Sequence, residues 1–157
     1  MRVGQGFDVH RFSDDPERPL WLGLVEIVGA RGLDGHSDAD VATHALCDAL
    51  LGAAHLGDLG RHFSESDPRW QGVSSRELLT SVLELVRRAH FDVESADLTI
   101  VAETPRLFSY MDLMSHELSV LVGTTVSVKA TTTEGLGSVG RGEGVGALAI
   151  VLLGDRP

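Results

Sequence analysis

The stretch that most constrains the fold is residues 34–60, in which a polar loop runs into a helix of small apolar residues and ends in a glycine turn. Over residues 41–54 the apolar side chains recur at helical spacing and form a wide stripe that must be buried against another layer. Ser37 or Asp38 is expected to cap this helix, because a short side-chain oxygen satisfies free amide donors at an N-terminus. The stripe consists of Val41, Ala42, Ala45, Leu46, Ala49 and Leu50.

His44 lies in the first turns of this predicted helix, behind the acidic loop HSDAD of residues 36–40. An imidazole pushed toward an apolar stripe with acidic neighbours is either a core histidine with its hydrogen bonds satisfied or a metal ligand. The helix alone leaves both interpretations open.

A second pair of candidate ligands lies near the start of the chain. Residues 2–12 alternate apolar and smaller or polar side chains, which predicts a strand, and Asp8 and His10 then project from the same face. The alternative is a polar solvent face with Val9 turned inward. Together with His44, these residues would give zinc three protein ligands and an open fourth position. The remaining histidines lack such partners and are expected at the surface or at caps: His55, His62, His90 and His116.

The other elements predict an α+β fold in one domain, residues 1–157, with a mixed four-stranded sheet, an N-terminal hairpin and helices packed on one sheet face. The hairpin would join residues 2–12 to a second strand at 21–28. Ser74 or Ser75 is expected to cap the second long helix. The predicted helices cover residues 41–54, 73–90 and 108–122, and the later strands cover 95–103, 125–132 and 145–153.

Composition excludes several classes of function. The net charge is −10, from 13 Lys and Arg against 23 Asp and Glu, so a nucleic acid would be repelled. A phosphorylated substrate would need local positive charge, from arginines, backbone amides or metal ions. No apolar run reaches membrane-spanning length, no secretory leader is recognisable, and Cys47 is the only cysteine, so a cytoplasmic protein is expected.

The glycine-rich segment KATTTEGLGSVGRGEGVG, residues 129–146, places Glu134 beside three threonines. Threonine hydroxyls and backbone amides suit phosphate oxygens, but a carboxylate there would repel a bare phosphate. Mg²⁺ or Mn²⁺ between them would remove the conflict. The alternative is a threonine-rich strand end followed by a flexible glycine loop.

These segments together resemble one enzyme family. FDVHRF, HSDADVATHALCDALLGAAHLGDLG, FSESDP, SSRELL, VKATTTE and GRGEG occur in order along nearly the whole chain, and they are similar to the 2-C-methyl-D-erythritol 2,4-cyclodiphosphate synthases. That resemblance implies a lyase of non-mevalonate isoprenoid biosynthesis. It would convert 4-diphosphocytidyl-2-C-methyl-D-erythritol 2-phosphate to the cyclic diphosphate with release of CMP.

The resemblance also implies a set of site residues. Asp8, His10 and His44 would hold Zn²⁺, and Glu134 would bind a second divalent cation, Mg²⁺ or Mn²⁺, through the phosphates. His36, Glu134 and Thr132 would be catalytic. Substrate would be contacted by His36, Ser37, Asp58, Leu59, Gly60, Phe63, Ser64, Glu65, Ser66, Asp67 and Arg141. The nucleotide would be contacted by Ala102, Glu103, Thr104, Pro105, Arg106, Leu107, Phe108, Thr131, Thr132 and Thr133.

The same resemblance implies a homotrimer with each active site between neighbouring subunits, and suggests an isoprenoid diphosphate as a regulator at Arg141 on the trimer axis. Two positions depart from the family pattern, Gly135 where a basic residue is common and Ser138 where an aromatic is common. By the resemblance, both positions would lie near the diphosphate or the trimer axis. Two other functions stay open: a zinc phosphohydrolase that uses metal-bound water, and a non-catalytic trimer that binds zinc for stability.

Overall fold

The computed structural model describes residues 1–64 and 66–156 and confirms an α+β fold. Its strands are β1 (Arg2–Arg11), β2 (Trp21–Leu22), β3 (Val25–Glu26), β4 (Phe91–Val101), β5 (Val126–Thr131) and β6 (Gly144–Asp155). Its helices are α1 (Val41–Ala53), α2 (Leu59–His62), α3 (Ser75–Arg88), α4 (Met111–Val122) and α5 (Gly137–Gly140). Two short 3₁₀ turns cover Pro68–Trp70 and Phe108–Tyr110.

The sheet is mixed and four-stranded, as predicted. Its strand order is β1-β6-β4-β5, in which β4 and β5 run parallel and the other neighbours run antiparallel. The parallel pair is joined through α4, which packs on β5. This connection agrees with the need of parallel strands for a long crossover, usually helical.

The predicted hairpin between residues 2–12 and 21–28 is wrong. Strand β1 pairs along its whole length with β6, and residues 21–26 fold back on themselves as the small β2–β3 hairpin. Gly23 and Leu24 both have positive φ, 57° and 66°, which is the geometry of a tight two-residue turn. Their backbone amides donate to the two carboxylate oxygens of Asp40, each at 2.8 Å. That buried carboxylate therefore ties the hairpin to the start of α1.

Helix α1 lies directly on β1 because two glycines leave room for its backbone. A Cβ added at Gly4 would lie 2.0 Å from the carbonyl oxygen of Ala49, and one at Gly6 would lie 1.9 Å from that of Ala45. Strand alternation puts Gly4, Gly6, Asp8 and His10 on one face of the sheet. The helix that carries His44 is therefore held against the face that carries the other two candidate ligands.

The two faces of the sheet differ in character. Under the helices, β6 contributes a buried row formed by Val145, Ala147, Ala149, Val151 and Leu153. The opposite face leaves large apolar side chains exposed on β1 and β6, namely Val3, Phe7, Val9 and Ile150. On β4 and β5 that same face is polar and carries the Asp97–Lys129 ion pair.

One of the two predicted helix caps is confirmed and the other is wrong. Ser74 caps α3 in a capping box with Glu77, as predicted. The cap of α1 is Asp40, whose carboxylate accepts from the amide of Thr43, and not Ser37 or Asp38. Both of those residues form other hydrogen bonds near His44.

Cys47 lies fully buried in α1. Among the residues described, none of the helices combines the length and hydropathy needed to cross a bilayer.

Candidate metal centre and active site

Three potential metal ligands converge where α1 crosses β1. Asp8 Oδ2 lies 3.0 Å from His44 Nδ1 and 3.2 Å from His10 Nε2. One donor atom of each residue lies within 4.8 Å of the others. These are the residues predicted from the sequence, and their separation is short enough for one ion to contact all three.

His10 is held by a hydrogen bond on the ring nitrogen that points away from Asp8. This bond determines the tautomer of the ring. His10 Nδ1 lies 2.5 Å from the carbonyl oxygen of Asp34, which can only accept, so Nδ1 carries the hydrogen. A neutral His10 ring therefore presents the lone pair of Nε2 to Asp8. An imidazole held through its other N–H by a carbonyl is the usual arrangement of a metal-bound histidine.

Asp8 is held as a carboxylate. Burial raises the pKa of Asp8, but hydrogen bonds and charge from His10 and His44 outweigh that effect and hold the pKa well below its ordinary value of 3.8. Those hydrogen bonds require a ring N–H that faces Asp8. With the neutral His10 tautomer given above, the carboxylate instead faces a nitrogen lone pair, and a metal cation between them would remove that repulsion. The donor set of one carboxylate and two imidazoles therefore fits a divalent metal.

The triad opens into a cavity of about 190 Å³. Several residues predicted to contact substrate line it with the triad: His36, Ser37, Leu59, Gly60 and Phe63. Among the described residues, the lining also includes four that were not predicted: Asp48, Trp70, Val73 and Leu78. Phe63 and Trp70 meet edge to face, with ring centroids 4.9 Å apart. The cavity thus combines an ionic end with an aromatic wall.

Asp48 supports the far wall of this cavity. Its Oδ1 accepts from the amide of Leu59 at 2.8 Å and so holds the start of α2. Burial raises the pKa of Asp48, and the backbone hydrogen bond from Leu59 opposes that shift. A partly buried carboxylate next to the substrate-facing residues is able to accept from a sugar hydroxyl.

The loop that carries His36 and Ser37 is anchored by main-chain and arginine contacts. Arg18 donates from Nη2 to the carbonyl oxygens of Gly35 and Ser37, at 2.8 and 2.6 Å. The amide of Gly72 donates to the carbonyl oxygen of His36 at 2.8 Å. The loop is therefore held at both ends while the His36 side chain stays exposed.

Of the remaining predicted substrate residues, those that the structure describes lie outside the lining of the cavity. Asp58 caps α2 through the amide of Arg61, and Asp67 caps the turn Pro68–Trp70 and pairs with Arg69. The hydroxyls of Ser64 and Ser66 bond to each other at 2.8 Å. Glu65 lies outside the described residues.

The predicted nucleotide residues and Glu134 lie in a second region, apart from the cavity lining. Thr104, Pro105 and Arg106 line an open groove with Phe12 and Tyr110. Ala102 and Leu107 are buried, and the amide of Ala102 donates to the carbonyl oxygen of Thr131, whereas Phe108 is 87 % exposed. Thr131 and Thr132 are exposed at the end of β5.

Glu103 organises the turn that presents Glu134. One oxygen of Glu103 accepts from the amide and hydroxyl of Thr133, at 3.0 and 3.2 Å, and from the amide of Gly135 at 3.1 Å. Between them, Glu134 adopts a left-handed φ of 52°. Thr132 Oγ1 donates to Glu134 Oε1 at 3.2 Å. The backbone and a neighbouring hydroxyl therefore both orient this carboxylate.

The two positions that depart from the family pattern both form backbone hydrogen bonds within this glycine-rich region. Gly135 has a φ of 78°, which a glycine adopts without strain, and its amide serves Glu103. Ser138 lies in α5, and its carbonyl accepts from the amide of Glu143. Arg141 pairs with Glu143 at 2.7 Å on the surface.

Sequence reasoning missed the residues that support the candidate ligands and the walls of the cavity: Arg18, Asp34, Asp38, Asp48 and Ser75. Their hydrogen bonds join segments that are 11 to 37 residues apart. The spacing of residues within one segment cannot predict such a contact. The only signal available was the acidic character of the 34–40 loop, which was interpreted as helix capping.

Comparison with known proteins gives a consistent picture. Residues 1–154 match the YgbB family. The chain is 55% identical over 156 residues to the 2-C-methyl-D-erythritol 2,4-cyclodiphosphate synthase of Syntrophobacter fumaroxidans, covering 98% of this chain and 97% of that protein. It is 53% identical over 159 residues to the synthase of the same name from Moorella thermoacetica, covering 99% and 96%.

Solved structures share the fold. A 2C-methyl-D-erythritol-2,4-cyclodiphosphate synthase in a CDP-bound form has a TM-score of 0.88 and 36% identity, covering 98% of this chain and 100% of that chain. The bifunctional IspDF from Campylobacter jejuni has a TM-score of 0.91 and 39% identity, covering 97% of this chain. The present chain spans only 42% of the length of that bifunctional protein.

Proposed function

The chain belongs to the YgbB family, and from that premise we propose that it is an enzyme that converts 4-diphosphocytidyl-2-C-methyl-D-erythritol 2-phosphate into 2-C-methyl-D-erythritol 2,4-cyclodiphosphate and CMP. The observation that carries the proposal is the convergence of Asp8, His10 and His44 at a cavity lined by His36 and Ser37. The whole chain would act as one catalytic domain, residues 1–157, in the cytoplasmic non-mevalonate route to isoprenoids.

The reaction is an intramolecular phosphoryl transfer. An oxygen of the substrate's 2-phosphate forms a bond to the β-phosphorus, and the bond from that phosphorus to the bridging oxygen breaks, so that CMP leaves with the electron pair. The nucleophile is already an anion, so no strong base is required. The obstacles are repulsion between phosphates and the entropy of ring closure.

Zn²⁺ held by Asp8, His10 and His44 would supply positive charge to phosphate oxygens. In the chain itself, Ser37 and the exposed His36 would contact the 2-phosphate and the erythritol. The aromatic wall of Phe63 and Trp70 would exclude water from the reacting end. Leu59, Gly60 and Asp48 would position the methylerythritol. This division of tasks explains how a protein of net charge −10 can bind a highly anionic substrate.

The nucleotide end would be bound by the second region. Glu134, oriented by Thr132, would hold Mg²⁺ or Mn²⁺ against the diphosphate, and residues 102–108 would contact the cytidine. The remaining substrate contacts, Asp58, Ser64, Glu65, Ser66 and Asp67, stay a prediction.

A homotrimer would unite the two regions, because the cavity of one chain has none of residues 102–108 or 131–134 in its described lining. Each active site would then combine the metal end of one subunit with the nucleotide end of its neighbour. The exposed apolar half of the sheet, on β1 and β6, offers a surface for that assembly. An isoprenoid diphosphate near Arg141 would face the trimer axis, and it would be bound by the guanidinium N–H groups that the Nε contact with Glu143 leaves over.

The proposal is tested by incubating the protein with the cytidine-diphosphate substrate and Mg²⁺ and following the products by ³¹P NMR. Cyclisation gives the cyclic diphosphate and CMP, whereas a phosphohydrolase would give linear phosphates and a zinc-stabilised scaffold would leave the substrate intact. A chelator is expected to stop the reaction.

A variant pair identifies the site. His44→Ala should reduce the rate by at least about 100-fold, since it removes a metal ligand. His116→Ala, which changes an exposed histidine on α4, should leave the rate near that of the parent. Linear products from the parent protein, or equal rates for the two variants, would refute the proposal.

A further inference from the structure

The nitrogen of His44 that faces away from Asp8 lies between two serine hydroxyls. His44 Nε2 is 3.0 Å from Ser75 Oγ and 3.2 Å from Ser37 Oγ. Ser75 is the first residue of α3 and is fully buried, and His44 is only 7 % exposed. A buried polar contact of this kind has no water to replace it, so the direction of the hydrogen bond matters.

Asp38 decides the direction of the hydrogen bond between Ser75 and His44. Ser75 Oγ lies 2.5 Å from Asp38 Oδ1, and the Ser75 amide donates to Asp38 Oδ2 at 2.7 Å. A carboxylate only accepts, and a serine hydroxyl has a single proton to donate. That proton therefore goes to Asp38, and Ser75 Oγ can meet His44 only as an acceptor.

It follows that His44 Nε2 carries a hydrogen. The other tautomer would set a nitrogen lone pair against a hydroxyl lone pair at 3.0 Å in a buried position. With Nε2 protonated, a neutral ring directs the lone pair of Nδ1 toward Asp8, as His10 directs that of Nε2. Ser37 is compatible with this tautomer, because a hydroxyl oxygen that accepts from the amide of Ala39 keeps a second lone pair, which can accept from Nε2–H.

We propose that Asp38 and Ser75 are positioning residues of the metal centre, which fix the tautomer and the ring orientation of His44 so that Nδ1 is presented to a divalent cation. The chain Asp38–Ser75–His44 links the start of α3 to the metal site. The inference rests on the metal site of the proposed function, but it does not depend on which reaction the enzyme catalyses. Outer contacts of this kind commonly change metal affinity by about 10 to 100-fold.

The test compares Ser75→Ala with Ser74→Ala in the zinc-loaded protein. Ser74 is the neighbouring cap of α3, and its hydroxyl bonds to Glu77 rather than to His44, so its loss weakens the same helix end without touching the ligand. Zinc affinity is measured by competition with a chromogenic chelator. Ser75→Ala should bind Zn²⁺ about 10 to 100-fold more weakly, whereas Ser74→Ala should lower Tm and leave the affinity unchanged. Equal affinities in Ser75→Ala and the parent, or equal losses in both variants, would overturn the proposal.

An NMR measurement on the parent protein tests the role of Ser75 even if Ser75→Ala does not fold. In the zinc-loaded protein, NMR should show the Nε2–H of His44 as a low-field resonance that exchanges slowly with water and lies close to the Ser75 side chain. Absence of that proton, or its rapid exchange, would refute the role of Ser75. Failure of the cyclisation assay with normal results in these measurements would instead remove the proposed function and leave this inference in place.

Discussion

Gly6 lies where α1 crosses β1, and the position of His44 depends on the missing side chain there. A methyl group at Gly6 would meet the backbone of Ala45 at 1.9 Å, and backbone cannot rotate away as a side chain can. Helix α1 would have to move outward, and His44 would move with it. Gly52, in the same helix, has only the carbonyl of Gln5 near its added Cβ, at 4.0 Å.

These two glycines should therefore respond in opposite directions. Gly6→Ala is expected to lower the free energy of unfolding by about 2–3 kcal/mol and to weaken zinc binding. Gly52→Ala should raise the free energy of unfolding by about 0.5–1 kcal/mol, because alanine favours the helix. Urea denaturation and zinc titration measure both effects. A fully stable Gly6→Ala protein with parental zinc affinity would contradict the close packing described here.

Glu103 holds the turn that carries Glu134 through hydrogen bonds to a single oxygen, so its shape should matter more than its charge. Glu103→Gln keeps an acceptor oxygen and should cyclise the substrate at nearly the parental rate. Glu103→Ala releases the amides of Thr133 and Gly135 and should lower kcat/KM by about 10 to 100-fold, because the carboxylate of Glu134 loses its orientation. Equal losses in the two variants would show that the negative charge of Glu103 itself is required.

Residue spacing predicted the ligands but not their supports. Asp8 and His10 alternate on one strand, and His44 follows a polar loop, so both features are local and readable. The contact from Ser75 to His44 joins α3 to α1 across 31 residues, and a serine at a helix start has an ordinary explanation as a cap. Local patterns therefore cannot separate Ser74, which caps α3, from Ser75, which contacts the candidate ligand His44.

Helix α3 begins at a capping box whose strength should depend on pH. Hydrogen bonds from the hydroxyl and amide of Ser74 lower the pKa of Glu77 below its ordinary value of 4.5. A lowered pKa in the folded state means that the stabilisation is complete well above pH 4.5 and is lost as pH falls through the folded value. The Tm difference between the parent and Glu77→Gln should therefore be present at pH 7 and shrink below about pH 4.5. A pH-independent difference would assign the effect to packing.

Elements with local signals were predicted better than the pairing between them. The 73–90 helix was recognised from its period and its serine, and it is observed as α3. The pairing of residues 21–28 with β1 was wrong, because the turn at Gly23 and Leu24 and the carboxylate of Asp40 close a separate hairpin. Partner choice among strands depends on contacts distant in sequence, which composition and spacing do not contain.

At the scale of the whole molecule, the exposed apolar half of the sheet predicts an assembly. Phe7→Glu places a charge on a side chain that is 57 % exposed in the single chain. We expect this variant to sediment as a monomer, to keep its zinc affinity and to lose cyclisation. Val120→Asp alters an apolar residue that is 68 % exposed on α4, outside this sheet face, and should not change the sedimentation of the parent. An unchanged trimer in Phe7→Glu, or a monomeric parent protein, would contradict the proposed assembly.

The resemblance implied active sites between neighbouring subunits, but the spacing of residues could not show which surfaces of two chains would meet. The candidate metal ligands and the predicted nucleotide residues occupy separate regions of one chain, and the proposed trimer would bring them together. Surface complementarity between copies is a property of the folded shape, so it is not visible in the spacing of residues.

Burial of the one thiol gives this protein an internal reporter. Cys47 lies one turn beyond His44 in α1 with no exposed surface, and burial raises the pKa of its thiol. A thiol reagent can therefore modify it only during transient opening of the core. Zinc bound to the same helix should slow that modification in proportion to the stability it adds. The labelling rate would then measure how often the core opens, with and without bound metal, and no substitution or added probe would be needed.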